Sequence, residues 1–336
     1  MVIAMTPELL KTIAVAYGFA SLHTIKELSS GGINRSWHVK NDQQQHFFLK
    51  VFDASDASRG ELEASILSHL NAQTSPAYRV QLLVRTHLGA PLFTSGERTY
   101  LLTKWQNGST RGWQEFSSDN WHSLGATLGA LHRRLRGLRL PALPIMCLSQ
   151  RVAGLDRESE ITKIASHRLL AAQKETYPFR QKADTYFEQR LMILDRFFPV
   201  IPRLSSDNEQ LVHNDYTEPN FIFDTDGIVM ITDWERAIYA PPEYDVVRSL
   251  VIMPIVAPAH AARFIEGYQR FSPINPPEIR DMVGVYLIEQ ALKHWPTERW
   301  LRGEDWGRVQ FESNFEIIEL LARQYDLLLN FYAENC

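Results

Sequence analysis

The stretch His213-Asn-Asp-Tyr-Thr-Glu-Pro-Asn220 sets Asp215 and Asn220 five residues apart, and Asp233 follows in Thr232-Asp-Trp-Glu-Arg236. Carboxylate and amide oxygens are hard ligands, and two of them supplied by a protein suit Mg2+, which keeps waters and shares the rest of its shell with phosphates. Polar groups of this kind destabilise a fold when they are buried unpaired, so their gathering around a short hairpin needs a chemical reason. Phosphoryl transfer supplies one. An aspartate orients the attacking hydroxyl, an asparagine and a second aspartate hold Mg2+ on the phosphates, and a Lys–Glu pair grips those phosphates from elsewhere in the chain.

The upstream elements offer that pair. The loop Ser29-Ser-Gly-Gly-Ile-Asn34 lies between strand candidates. SWHVKN and HFFLKVF alternate around the polar turn Asn41-Asp-Gln-Gln-Gln and read as a β-hairpin carrying Lys50. The next segment repeats Leu62, Ile66, Leu67 and Leu70 at helical spacing and carries Glu63. Two further strand candidates, 80–86 and 98–105, are separated by Gly and Pro.

Beyond the turn-like stretch 106–112 the pattern becomes helical. Trp121, Leu124, Leu128, Leu131 and Leu135 step by three and four, with Ser118 or Asp119 as N-cap, and Gly125, Ala126, Gly129 and Ala130 predict close approach of another helix. Helices are predicted over 152–172, 181–198, 258–271, 276–294 and 307–332, and a hairpin over 221–234 turning at Asp226-Gly227. The expected class is α+β, with a small β-rich lobe over 1–103, a larger mainly helical lobe over 104–336 and a ligand cleft between them.

Composition narrows the field. At 336 residues, 45% hydrophobic and 11% aromatic, the chain is globular and long enough for two lobes. Its net charge of −4 argues against a nucleic-acid partner, which needs clustered Lys and Arg. Cys147 and Cys336 are too few and too distant for a metal cluster or disulfide framework and read as inert thiols in a reducing compartment. The N-terminus lacks a basic start with a long apolar core, and the most apolar run, 249–262, is broken by two prolines. A soluble cytoplasmic protein without a membrane segment is expected, its oligomeric state unassigned.

In order and spacing these residues resemble the aminoglycoside phosphotransferase and choline kinase superfamily, a bilobal protein-kinase-like fold whose members phosphorylate small molecules. His213, Asp215 and Asn220 match its H-x-D-x-x-x-x-N pattern. Ile231-Thr-Asp233-Trp-Glu235 matches its I-D-W-E strand with one residue inserted, and Pro241 or Pro242 with Asp245 matches its P-x-x-x-D element. Gly31, Gly32 and Asn34, Lys50, Glu63 and the hinge Leu101-Leu-Thr-Lys-Trp-Gln-Asn-Gly108 complete a likeness that spans residues 25 to 250. One departure is Asn214, where aminoglycoside kinases usually carry Gly and the choline kinase branch also shows H-N-D.

The resemblance implies Asp215 as the residue that orients the acceptor hydroxyl, and Asn220 and Asp233 as Mg2+ ligands. It implies Gly31, Gly32, Asn34, Lys50 and Glu63 at the nucleotide phosphates, and Lys104 and Gln106 at the adenine edge of ATP or GTP. His213 is structural in that pattern, and Asp245 braces the catalytic loop. The acceptor is then a hydroxyl on a small molecule such as an amino alcohol, an aminoglycoside-like drug or a homoserine-like metabolite. Tyr286, Glu289, Trp295, Trp300, Trp306, Phe311, Glu312, Phe315 and Glu316 mix aromatic faces with carboxylates that would suit an amine. The rivals are a protein Ser/Thr kinase of the same superfamily, an inactive nucleotide-binding regulator and a Mg2+-dependent hydrolase. The link from Asp233 to Ala240-Pro-Pro-Glu243 is too short to present a peptide.

Overall fold

A computed structural model describes residues 5–28, 35–73, 75–175, 179–224 and 229–336. The loop with Gly31, Gly32 and Asn34 and the turn at Asp226-Gly227 lie outside the described residues. The strands are β1 (Leu22–Leu28), β2 (Arg35–Asn41), β3 (His46–Asp53), β4 (Arg79–Val80), β5 (Phe93–Ser95), β6 (Arg98–Lys104), β7 (Gln210–Val212), β8 (Phe221–Phe223), β9 (Val229–Ile231) and β10 (Ile238–Ala240). The helices are α1 (Pro7–Ala16), α2 (Ala57–Asn71), α3 (Ser118–Leu135), α4 (Leu148–Ala153), α5 (Arg157–Lys174), α6 (Phe179–Phe197), α7 (Pro242–Leu250), α8 (Met253–Val256), α9 (Pro258–Gln269), α10 (Pro276–Ala291), α11 (Trp295–Arg302) and α12 (Gly307–Asn335).

Five strands form an antiparallel sheet in the order β1-β2-β3-β6-β5. Asn41 closes the β2–β3 turn, its Oδ1 accepting the N–H of Gln43 at 3.0 Å and of Gln45 at 2.9 Å. An Asx side chain mimicking a backbone turn explains the hairpin. Period-two alternation then sorts the two faces of the sheet. Phe47, Leu49 and Val51 with Tyr100 and Leu102 pack against α1, whereas Phe52 and Leu101 join the main core with Leu62, Ile66, Leu67 and Leu70 of α2. Lys50 shares the second face with Phe52 and is thereby directed at α2.

The predicted strand over 80–86 is largely irregular. Arg79–Val80 instead pairs in parallel with β9, forming a second sheet β4-β9-β8 that ties the first 103 residues to the later hairpin. Residues 82–84 run beside β6 through Val84 N–H to Leu102 O (2.9 Å) and Lys104 N–H to Leu82 O (2.8 Å). The rest of that edge of β6 is covered by β5, which leaves no room for a longer strand.

α3 is capped by Ser117 rather than Ser118 or Asp119. Ser117 Oγ accepts the Asn120 N–H at 3.1 Å while Asn120 Oδ1 accepts the Ser117 N–H at 3.0 Å, a reciprocal capping box. The predicted helix over 152–172 is two helices, broken at Gly154 and restarted by Asp156, whose carboxylate accepts the Glu158 N–H. Helices α1, α7, α8 and α11 were not anticipated. Tyr286, Trp300, Phe311 and Phe315 are core residues, Trp300 lying against Phe179 and Phe311, so they do not line a cleft. Helical spacing of large apolar residues here marks packing.

The small residues of α3 meet α9 backbone to backbone. A Cβ built on Gly125 would fall 1.9 Å from Phe264 O, and one on Gly267 would fall 2.0 Å from His122 O. Gly125→Val is therefore expected to destabilise the protein by about 1–3 kcal/mol or more through overpacking. Gly154→Ala, where the nearest atom would stand 3.5 Å away, should stay within about 0.5 kcal/mol. Urea unfolding of both variants checks this, and equal losses would contradict the close crossing.

Candidate active site

Lys50 is 7% exposed, and its ammonium meets Glu63 Oε2 at 2.8 Å, Asp233 Oδ1 at 2.5 Å and Glu235 Oε2 at 2.7 Å. The Phe52 ring lies 5.2 Å beneath it. Glu63 Oε1 accepts the Trp234 N–H at 3.4 Å, so β3, α2 and the turn after β9 converge on one charge. Burial opposes that charge, yet the three carboxylates outweigh it and hold Lys50 above its usual range. Burial pushes Glu63 up to about 7, with Lys50 pulling the other way and Asp233 and Glu235 reinforcing the rise. Glu61, the neighbouring acid on α2, is exposed.

The loop 213–220 is built on a buried carboxylate. Asp245 of α7 is 0% exposed, and its Oδ2 and Oδ1 accept the N–H groups of His213 (2.7 Å) and Asn214 (2.8 Å). His132 Nε2 lies 3.3 Å from the same carboxylate, and its Nδ1 2.9 Å from Tyr268 Oη. Burial alone would raise Asp245, but the bond and charge of His132 and the loop N–H hold it below the usual carboxylate range. His213 is buried beneath the loop. Its Nε2–H donates to Thr232 O (3.0 Å) and its Nδ1 accepts the Asp215 N–H (3.2 Å), which fixes the tautomer, while burial lowers its pKa.

These bonds hold Asn214 at φ 63°, and Asp233 sits at φ 66°. Among residues with a Cβ, Asn and Asp are the ones that best tolerate this left-handed region. The position of Asn214 thus accepts Gly or Asn for a steric reason.

Asn220 Nδ2 donates to Asp215 O at 2.8 Å and to Asp215 Oδ2 at 3.3 Å, which turns its Oδ1 away from Asp215 as a hard donor. The Asn220 carbonyl accepts both the N–H (3.0 Å) and the Oγ1–H (3.2 Å) of Thr232, so Asn220 and Asp233 are held at the same end of the β8–β9 hairpin. The ligand oxygens of Glu63, Asp233 and Glu235 lie within 4.8 Å of one another. An all-oxygen set of this kind fits a hard divalent cation such as Mg2+.

The structure thus brings Lys50, Glu63 and Asp233 into direct contact and Asn220 against Asp215. At the hinge, Lys104 ends β6 with its N–H donating to Leu82 O, which takes that donor out of play for a nucleobase, and Gln106 follows partly buried.

Sequence reading missed Glu235, His132 and Arg248. Arg248 stands three residues after Asp245 on α7, a spacing that puts both on one helix face, and its Nε donates to Asn214 O at 2.7 Å. Glu235 stands in the I-D-W-E match but its contact with Lys50 arises from a turn, and His132 carries no signal because its role arises from helix contacts remote in sequence. Both cysteines are free, with thiols pushed up chiefly by burial, Cys336 to about 12.

Among solved structures, the chain is similar to the spectinomycin phosphotransferase APH(9)-Ia in complex with ADP and spectinomycin, at a TM-score of 0.70 and 14% identity over 95% of this chain and 98% of that one. It is similar to the amicoumacin kinase hAmiN in complex with AMP-PNP, Ca2+ and Ami, at 0.66 and 12% over 96% and 94%. It is also similar to a microcompartment-associated aminopropanol kinase, at 0.61 and 14% over 95% and 98%. No curated protein matches the chain. Among the described residues no helix is long and apolar enough to cross a membrane. The likeness to these structures shows a kinase-like fold, and the model of the phosphotransferase enzyme family matches residues 24–281: the chain belongs to that family.

Proposed function

We propose that the protein transfers the γ-phosphoryl group of ATP or GTP to a hydroxyl of a small molecule. The observation that carries this reading is the 2.5 Å contact of Lys50 with Asp233, residues far apart in sequence, beside the Asp215–Asn220 pair. Residues 1–103 would form the nucleotide-binding lobe, with Gly31, Gly32 and Asn34 at the phosphates and, at the base, Gln106 and the carbonyl of Lys104, whose N–H is held by Leu82 O. Residues 104–336 would carry catalysis and the acceptor, in the cytoplasm, where free thiols stay reduced.

Asp215 would orient the acceptor hydroxyl and take its proton late, since phosphoryl transfer passes through a loose transition state that needs no strong base. Asn220, with its amide nitrogen tied to Asp215, and Asp233 would hold Mg2+, which neutralises charge on the phosphates when bound. Lys50 would grip the phosphates while Glu63 and Glu235 keep its ammonium in place through charge-assisted bonds. Arg248 and Asp245 would fix the backbone around Asn214 so that Asp215 presents one conformation.

A small acceptor is supported by the link after Asp233. It is taken up by the short turn Trp234–Arg236 and by β10, which pairs with β7, so no segment remains to display a peptide.

Incubation with labelled ATP and a panel of alcohols tests the reading: label on an alcohol is expected, and label appearing solely as free phosphate would make the protein a hydrolase. Asp215→Asn should lower kcat by about 10²–10⁴-fold with the affinity for Mg·ATP unchanged. Loss of nucleotide binding in that variant would move Asp215 into a metal role. Asp233→Ala should abolish the Mg2+ dependence of ATP binding in a calorimetric titration, because it removes a carboxylate ligand. An unaltered Mg2+ titration would refute the assignment.

A further inference from the structure

A lysine ammonium carries three N–H donors, and on Lys50 all three are taken. Their acceptors are Glu63 Oε2 at 2.8 Å, Asp233 Oδ1 at 2.5 Å and Glu235 Oε2 at 2.7 Å, with the Phe52 ring closing a further side at 5.2 Å. Held in this way, Lys50 cannot donate to a phosphate oxygen until one of the carboxylates lets go.

The three are not equally able to do so. The side chains of Glu63 and Glu235 are 1% and 6% exposed, against 36% for Asp233. Glu63 is also held through its second oxygen by the Trp234 N–H. A buried carboxylate that loses its ammonium is left uncompensated away from water, which is strongly unfavourable, whereas a partly exposed one is solvated or taken up by another cation. Asp233 is therefore the partner that yields, and Lys50 stays compensated because it keeps Glu63 and Glu235. Asp233 is also the carboxylate assigned to the metal under the proposed function.

We infer that Asp233 caps Lys50 and that the cap is exchanged: as the Asp233 carboxylate turns to a divalent cation, the N–H that it releases donates to a phosphate oxygen. One side-chain rotation then serves both ligands. Metal and phosphate favour each other's entry, and either one alone is opposed by the Lys50–Asp233 bond, a coupling that is reciprocal by linkage. The inference rests on the phosphotransferase reading above and adds a penalty against metal-free nucleotide and against bare metal. Glu235 is a positioning residue in it, steadying Lys50 beside Glu63 while Asp233 is turned away.

Calorimetric titration of ATP in EDTA, where no metal can claim Asp233, tests the cap in the full chain and in two amide variants shown to be folded by circular dichroism. Asp233→Asn weakens the bond to Lys50 and should tighten metal-free ATP about 5- to 150-fold. Glu235→Gln removes the same charge from beside Lys50 but leaves the cap, and should tighten it far less. Equal gains in the two variants would mean that charge alone matters and would overturn the inference, as would no gain in Asp233→Asn. Should Glu235→Gln fail to fold, Mg2+ titrated without nucleotide decides: it should bind Lys50→Met more tightly than the wild type, and equal affinity would refute the cap. Mg·ATP titrated into the wild type keeps the two proposals apart. Binding of Mg·ATP with metal-free ATP unchanged in Asp233→Asn sinks this inference alone. No nucleotide binding in any form, with Mg2+ entering Lys50→Met and not the wild type, sinks the phosphotransferase reading and leaves the cap standing.

Discussion

One buried ammonium organises the molecule. Lys50 reaches three carboxylates from two separate parts of the chain, Glu63 on α2 and the pair Asp233 and Glu235 on the turn after β9. Removing one partner from a buried ion pair costs about 3–5 kcal/mol, mainly because the other charge is left uncompensated. The sheet and the helical part of the chain are thus held in one relative position at the place where nucleotide phosphates would sit. The ratio of charges matters as well. One cation among three anions leaves a surplus of negative charge that a divalent ion can neutralise, so under the proposed function the joint that fixes the fold would also receive metal-bound phosphate.

A second constraint fixes the other side of the site. Asp245, buried on α7, accepts the N–H groups of His213 and Asn214, and Arg248 from the same helix face binds Asn214 O. The strained left-handed conformation of Asn214 persists because bonds on both sides of it over-determine the backbone. Strain stored next to Asp215 and at Asp233 keeps both side chains preorganised. The same helix carries Tyr244, whose hydroxyl joins Arg151 of α4 and Glu289 of α10, so α7 ties the loop 213–220 to both helices.

Much of this was legible in the sequence because it follows short periods. Alternation along HFFLKVF put Lys50 on the face of Phe52, helical spacing put Glu63 inward with Leu62 and Ile66, and the H-x-D-x-x-x-x-N spacing marked a loop whose ends must meet. The small residues of α3 announced the crossing with α9. What was missed depends on contacts with no fixed spacing. Glu235 joins Lys50 because a left-handed Asp233 starts a tight turn, and His132 supports Asp245 from a helix more than a hundred residues upstream. Tyr286, Trp300, Phe311 and Phe315 were read as a lining and are core, whereas Trp295 and Trp306 are exposed, since periodicity identifies a buried face without saying what covers it. The strand expected over 80–86 failed because β5 had already taken the edge.

Lys50 and Glu63 act as one unit. A double-mutant cycle on unfolding free energy, with Lys50→Met, Glu63→Gln and the pair measured in metal-free buffer, tests that directly. Coupling of about 1–3 kcal/mol is predicted, within the range seen for residues sharing a buried ion pair. Additive losses, with no coupling beyond about 0.5 kcal/mol, would contradict it.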